Sequence, residues 1–362
     1  MNMRIAALAV GLISSVAFAQ SYPSKTITIV VPFSAGGPTD RVARDLAEAM
    51  RKPLGGATIV VDNTVGAGSS IGSNKVAKAA PDGYTILLNH IAMASMPNQL
   101  RNMPFKVESD FEYLGMINEV PMTLISRPSL PAKNFKELVS WIGQNKGKIN
   151  LGNAGIGSAS HLCGLMVQSA LQTDMTSIPY KGTAPAMTDL IGGQIDLMCD
   201  QTTNTTQQID AKKVNAYAVT TSKRLTTAAL KDLPTMQEAG LKGFEVTIWH
   251  GLYAPKGTPA DVMAKINGAL KAALKDPDFM AKQEALGAVI ITDHRTDPVD
   301  HKKFVASEIA KWGPGDQCRE GIHRLRPAVA GSAWAGPQYL GICIITGFAA
   351  LLWLRGEVLF PT

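Results

Sequence analysis

Residues Thr26–Met50 read TITIVVPFSAGGPTDRVARDLAEAM, and the change of pattern inside this stretch decides the fold. The β-branched run Thr26–Phe33 predicts a strand, and Thr39–Met50 carries a helical pattern. Between them Gly36 and Gly37 let the backbone turn tightly, and Pro38 suits the first turn of a helix. A helix N-terminus is thereby exposed at the end of a strand, where its N–H groups and positive dipole end suit an anion. Thr39 adds a hydroxyl and Asp40 fits a cap. Ser34, Gly36, Gly37, Thr39 and Asp40 are candidate binding residues, with an ordinary strand-to-helix turn as the other reading of the loop.

The same rhythm continues outward, with a strand at Thr58–Asp62, a helix at Ile71–Ala80 and a strand at Tyr84–Asn89. It resumes in Met122–Ser126, Phe135–Gln144, Ile149–Leu151, Ser160–Gln172, Thr176–Pro179, Ala184–Ile191, Ile195–Cys199 and Asn215–Thr220. Strands alternating with helices mean parallel sheets. The expected fold is α/β: two doubly wound lobes around a central cleft, followed by a mostly helical stretch from Phe244 to Trp312 that returns to the first lobe. Crossings are expected at Met116–Pro121 and Gly240–Trp249, giving lobe 1 as residues 20–120 plus 246–312 and lobe 2 as 121–245. In such sheets the ligand lies beyond the carboxyl ends of the strands.

A second glycine-rich loop, Gly152–His161 (GNAGIGSASH), again follows a strand and opens a helix, with Ser158 placed as N-cap. Two such loops facing each other could hold a carboxylate through backbone donors and bridging waters. Gly155, Gly157, Ser158 and His161 therefore join the candidate site. Asn63–Gly72 has its glycines as GxGxxxG, which departs from the dinucleotide fingerprint, so it is expected to line the same cleft with Ser69 and Ser70 as donors. Asp200, at the carboxyl edge of a strand, is placed to accept from a ligand ammonium or hydroxyl, or to cap the Thr-rich turn after it. Gln201–Gln208 reads as a helix cap. Phe33 and Trp249 are either cleft walls or core, with hinge packing preferred for Trp249.

The chain has 362 residues, more than one core sustains. Its net charge is +6, of which Arg4 contributes one and the region after Trp312 one, leaving +4 between. That mild excess, without a basic run interleaved with aromatics, excludes a nucleic-acid partner and favours an anionic ligand. Arg4, the apolar run Ile5–Val16 and Ala17-Phe18-Ala19 predict a signal peptide over residues 1–19, a mature start at Gln20 and export. The four cysteines have no CxxC spacing, and the six histidines form no HxH or HxxxH pair, so no metal or cofactor is expected. A Cys163–Cys199 bridge fits an oxidising compartment, but two independent core cysteines are the expectation. A secreted hydrolase using Ser158 and His161 is the alternative function, although no GxSxG elbow is present.

The ordered motifs PFSAGGPTDRVAR, NTVGAGSSIGSNKVAKAAPDGYTILL, GNAGIGSASHL, IPYKGTAPAMTDLIGGQIDLMCD, LPTMQEAG and IWHGLYAPKGTP resemble the Bug family, the substrate-binding proteins of tripartite tricarboxylate transporters. The resemblance runs from about Tyr22 to Trp312. It implies a periplasmic binding protein of Venus-flytrap architecture, expected as a monomer, that passes a small carboxylate to the membrane subunits of such a transporter. It also implies that the carboxylate is held by Ser34–Asp40 and Gly155–His161, often through water, with Asp200 sensing the rest of the ligand. Ser69-Ser70 stands where the family usually has glycines. After Pro314 the family pattern stops, and residues 313–362 form an atypical tail that a one-base frameshift near Gly315 would explain. Its apolar run Tyr339–Leu354 is short of the roughly 20 residues needed to span a bilayer.

Overall fold

A computed structural model describes residues 22–100 and 102–312. The expected signal peptide, residues 1–19, as well as Cys318, Cys343 and the tail, lie outside the described residues. The strands are β1 (Ile27–Val31), β2 (Ile59–Asn63), β3 (Thr85–His90), β4 (Phe111–Ser126), β5 (Asn150–Asn153), β6 (Thr176–Pro179), β7 (Leu197–Gln201), β8 (Asn215–Val219), β9 (Thr247–Pro255) and β10 (Val289–Ile290). The helices are α1 (Pro38–Arg51), α2 (Ser70–Ala77), α3 (Ala92–Gln99), α4 (Phe135–Gln144), α5 (Ala159–Leu171), α6 (Thr183–Ile191), α7 (Thr202–Asp210), α8 (Ala260–Ala273), α9 (Pro277–Glu284) and α10 (Pro298–Lys311).

Each lobe is built on three parallel strands in the same order. In lobe 1 β1 pairs with β2 and with β3; in lobe 2 β5 pairs with β6 and with β7. The chain therefore reverses direction across the sheet between β1 and β3 and between β5 and β7, the two places where a doubly wound sheet opens a crevice at its carboxyl ends. The sixteen-residue β4 joins the lobes. Its first part, Phe111–Pro121, runs antiparallel to β9, and its last part, Met122–Ser126, pairs with β7 and β8.

Two sequence expectations change here. The stretch after Phe244 is not mostly helical at its start, because β9 occupies nine residues between β3 and β4. Both β9 and the Phe111–Pro121 half of β4 are buried along nearly their whole length, so neither shows the alternation that marks a half-exposed strand. The Gln/Thr tract forms α7 itself.

The amphipathic α1 shows why the local pattern folds as it does. Val42, Ala43, Leu46, Ala47 and Met50 fall on one face and are all buried, against Arg44 and Glu48 outside. Burying a Leu or Met side chain contributes roughly 1.5–3 kcal/mol, enough to hold the helix against β2 and β1. In lobe 2, Cys163 of α5 and Cys199 of β7 are joined as a disulfide, with Cα atoms 5.9 Å apart and both residues fully buried. This corrects the expectation of two independent thiols: α5 crosses directly over β7, a proximity that their separation of 36 residues does not reveal.

Candidate functional site

The loop after β1 is shaped by Asp40. Its Oδ2 accepts from the Gly36 N–H at 2.9 Å and from Arg44 Nε at 2.9 Å, and its Oδ1 accepts from Asn63 Nδ2 at 2.9 Å. Burial pushes its carboxyl upward, but the bonds from Arg44, Gly36 and Asn63 outweigh this and hold it below the ordinary range. Asp40 is thus a staple that folds the loop back on α1, with both its oxygens accepting bonds within lobe 1. No side chain caps α1, whose N-cap is Gly37. Thr39, 1% exposed, turns its hydroxyl toward His250 at 3.5 Å. Phe33 is core, stacked on His90 with ring centres 4.5 Å apart. Trp249 is buried, packs on Phe304 of α10 and donates from Nε1 to Glu308.

The segment that meets Ser34–Gly37 across the cleft is Lys181–Ala184, at the start of α6, rather than Gly155–His161. The Ser34 N–H donates to the Lys181 carbonyl at 3.1 Å. A Cβ on Gly182 would lie 2.1 Å from Ser34 Oγ, and one on Gly37 would lie 3.6 Å from Thr183 Oγ1. No side chain caps α6 either, so two helix N-termini approach each other across the lobes. Sequence reasoning missed Lys181–Thr183, although Gly182 between a strand and a helix carries the same signal as Gly36-Gly37.

The Gly155–Ser158 loop instead meets the loop before α2. A Cβ on Gly68 would come within 1.7 Å of the Ile156 carbonyl oxygen, and Ser95 Oγ donates to the Gly157 carbonyl at 2.7 Å. A pocket of about 670 Å³ opens beside this contact, lined among others by Gly66–Ser69, Ala154–Ile156, Tyr180 and Lys181. Ser69 lines it, but its hydroxyl donates to Met96 Sδ and accepts from Asn89; Ser70 is buried in the first turn of α2 and is not part of the lining. Ser158 caps α5, its Oγ accepting from the His161 N–H at 3.3 Å. The His161 ring accepts from the Gly157 N–H through Nδ1, and burial lowers its pKa. The Ser158 hydroxyl therefore has no ring nitrogen poised to take its proton, and the hydrolase alternative is not supported. Among the described residues no group of His, Cys, Asp and Glu forms a metal site.

Several buried oxygens near the ends of the strands and helices lack partners: Ser34 Oγ, Thr183 Oγ1, Asp200 Oδ1, Thr202 Oγ1 and Thr203 Oγ1 have no hydrogen-bond partner among the described residues. A cost of about 1–3 kcal/mol for each such group points to partners supplied from outside the chain. Asp200 is fully buried at the carboxyl end of β7, with Oδ2 accepting from Asn204 at 2.6 Å. Burial raises its pKa to about 6, opposed by bonds from Asn204 and the Gln201 N–H and by the nearby Thr183 hydroxyl, which lies close without meeting full hydrogen-bond geometry.

Because the pKa is raised from 3.8 to about 6, the unfolded chain gives up this proton first, and ionisation opposes folding. The group costs nothing below about pH 4; its penalty grows as pH rises through 6 and levels off at about 3 kcal/mol. Asp200→Asn removes the charge and is expected to stabilise the ligand-free protein by about 2 kcal/mol at pH 7.5 and hardly at all at pH 4. Equilibrium urea unfolding at the two pH values reads this; an equal effect at both would show that the charge is not the cause.

With the site described, its relatives are informative. The profile of the tripartite tricarboxylate transporter family receptor matches residues 42–318. The UPF0065 protein in the TAR-I ttuE-ttuC' intergenic region of Agrobacterium vitis is 49% identical over 310 residues, covering 84% of this chain and 89% of that relative. Among solved structures, the periplasmic binding protein BugD is 50% identical with a TM-score of 0.80, over 83% of this chain and 99% of that one. MatC from Rhodopseudomonas palustris, solved with bound malate, is 37% identical with a TM-score of 0.77, over 80% of this chain and 98% of that one. The chain shares its overall fold with these solved structures, and it belongs to the tripartite tricarboxylate transporter receptor family of periplasmic solute-binding proteins.

Proposed function

We propose that this protein closes two lobes, residues 20–120 with 246–312 and residues 121–245, around one small carboxylate and presents it to the membrane subunits of a tripartite tricarboxylate-type transporter. It acts as a monomer in the periplasm, exported by its signal segment, and performs no chemistry on the ligand. The observation that carries this reading is the meeting of Ser34–Gly37 with Lys181–Thr183. There the uncapped N-termini of α1 and α6 approach each other, and the Ser34 and Thr183 hydroxyls and one oxygen of Asp200, Oδ1, stand without partners among the described residues. Backbone donors at the starts of α1 and α6, brought together by the Gly36-Gly37 and Gly182 turns, bind the carboxylate without burying a counter-ion, and Ser34, Thr39, Thr183 and Asp200 select the remainder. Contacts from both lobes exist together only in the closed state, so ligand binding drives closure.

A thermal-shift screen of the purified protein against mono-, di- and tricarboxylates, malate included, tests this. A ligand at 100 times its Kd adds about 2.7 kcal/mol and raises Tm by several degrees. A selective shift with one acid is expected. Shifts with no acid, or consumption of an acid or ester by the protein, would remove the receptor reading.

A further inference from the structure

A buried chain of side chains runs from Thr39, in the first turn of α1 beside Gly37, to the half-buried Asp45. Thr39 Oγ1 lies 3.5 Å from His250 Nε2, and His250 Nδ1 lies 2.8 Å from Asn118 Oδ1. Asn118 Nδ2 donates to Gln283 Oε1 at 3.1 Å, and Gln283 Nε2 donates to Asp45 Oδ2 at 2.7 Å. Thr39, His250, Asn118 and Gln283 are each 1% exposed or less. They come from α1, β9, β4 and α9, with Asn118 opposite His250 just past an irregularity in the β4–β9 register.

The direction of the chain follows from its outer end. A carboxylate only accepts, so Asp45 takes the Gln283 amide hydrogen and leaves Gln283 Oε1 to accept from Asn118. Asn118 is then left with its oxygen toward His250, which must donate from Nδ1 and accept at Nε2. Thr39 can satisfy that nitrogen only by giving up its hydroxyl proton. We infer that Gln283, remote from the cleft, is a positioning residue that orders the protons along this chain and presents the Thr39 oxygen to the ligand as an acceptor alone. The corner at Thr39 then takes a hydroxyl, an ammonium or a bridging water, and disfavours a carboxylate oxygen in direct contact. Burial, with the neighbouring His90 ring, holds His250 well below its ordinary pKa, so it is neutral and the position of its single ring proton matters. Burial raises the pKa of Asp45, while Gln283, Lys282 and Arg41 favour its anion. This selection rests on the carboxylate-receptor reading; the proton order does not.

Two substitutions of similar size separate polarity from packing. In Gln283→Glu the new carboxyl shares a proton with Asp45 and its other oxygen still accepts from Asn118. In Gln283→Lys the ammonium pairs with Asp45 and donates to Asn118, whose amide must turn, so that His250 moves its proton to Nε2 and donates to Thr39. The first readout is ligand-free: long-range proton–nitrogen NMR of the full chain with labelled histidine. Wild type and Gln283→Glu are expected to show His250 protonated at Nδ1, and Gln283→Lys at Nε2. Calorimetry with malate and with succinate, which lacks the hydroxyl, gives the second readout. The preference for malate is expected to fall about tenfold in Gln283→Lys and to stay within about threefold in Gln283→Glu. A wild-type His250 protonated at Nε2 overturns the inference, as does an unchanged malate-to-succinate ratio in a Gln283→Lys protein whose proton has moved. If neither acid binds the wild type, selection at Thr39 is overturned, while the carboxylate reading stands or falls by the thermal-shift screen and the ring nitrogens still decide the proton order.

Discussion

Gly68→Ala is expected to lower ligand affinity by more than about 100-fold while both lobes remain folded. Gly68 has φ +61°, and its added Cβ would lie 1.7 Å from the Ile156 oxygen and 2.9 Å from the Ile156 carbonyl carbon. Both atoms are backbone of the opposite lobe, so no rotamer change relieves the overlap. The lobes must stop short of contact by more than an ångström. With the lobes apart the methyl meets nothing from lobe 2, and the cost to folding is the left-handed backbone strain of about 1 kcal/mol. A receptor that cannot close loses the contacts made only in the closed state, and 100-fold corresponds to about 2.7 kcal/mol of them. Calorimetry with the acid selected in the ligand screen, beside a urea unfolding curve, measures both quantities. Wild-type affinity in a folded Gly68→Ala protein would show that the lobes bind ligand without this closure.

Replacing both Cys163 and Cys199 by Ala is expected to destabilise the protein by about 4 kcal/mol. The bridge closes a loop with a sequence separation of 36, and the chain-entropy relation assigns about that much to a crosslink of this length. Alanine avoids leaving a new hydroxyl unpaired in a fully buried site, so the measured loss reports the crosslink and the lost sulfur packing. The midpoint of urea unfolding should fall, and the slope should rise, because an uncrosslinked unfolded chain exposes more surface. An unchanged midpoint would mean that the bridge is not formed in the purified protein. Since Cys199 precedes Asp200 on β7 and Cys163 lies in the helix opened by Ser158, ligand affinity is expected to weaken as well, by less than tenfold, through looser placement of those two positions.

The parallel units of both lobes were legible, because their strands are short and alternate with helical stretches, and four of them, β1, β2, β5 and β6, are followed by a glycine-containing turn. The α1 loop and the Ser158 cap were legible for the same reason: turn and cap chemistry acts over three or four residues. The antiparallel strands that join the lobes were only partly legible. Phe111–Pro121 and Thr247–Pro255 are buried along most of their length and interrupted by irregularities in register, so their apolar runs carry no period. Asp40 and Asp200 show the same limit from the site's side. Each is an aspartate beside a loop after a strand. One proves to be locked by Arg44, Asn63 and the Gly36 N–H, and the other keeps a bare oxygen in the interior.

By itself, then, the sequence determined the element types, the two α/β lobes, the glycine loops at their carboxyl edges and the family, all of which rest on residues close together along the chain. Only the tertiary structure decided which loops face each other, that Cys163 reaches Cys199, that Lys181–Thr183 completes the site, and that Thr39 is wired through His250 and Asn118 to Gln283 and Asp45. Those partners lie between 36 and more than 200 residues apart, and their meeting follows from how the sheets pack and the lobes close, which no local pattern encodes.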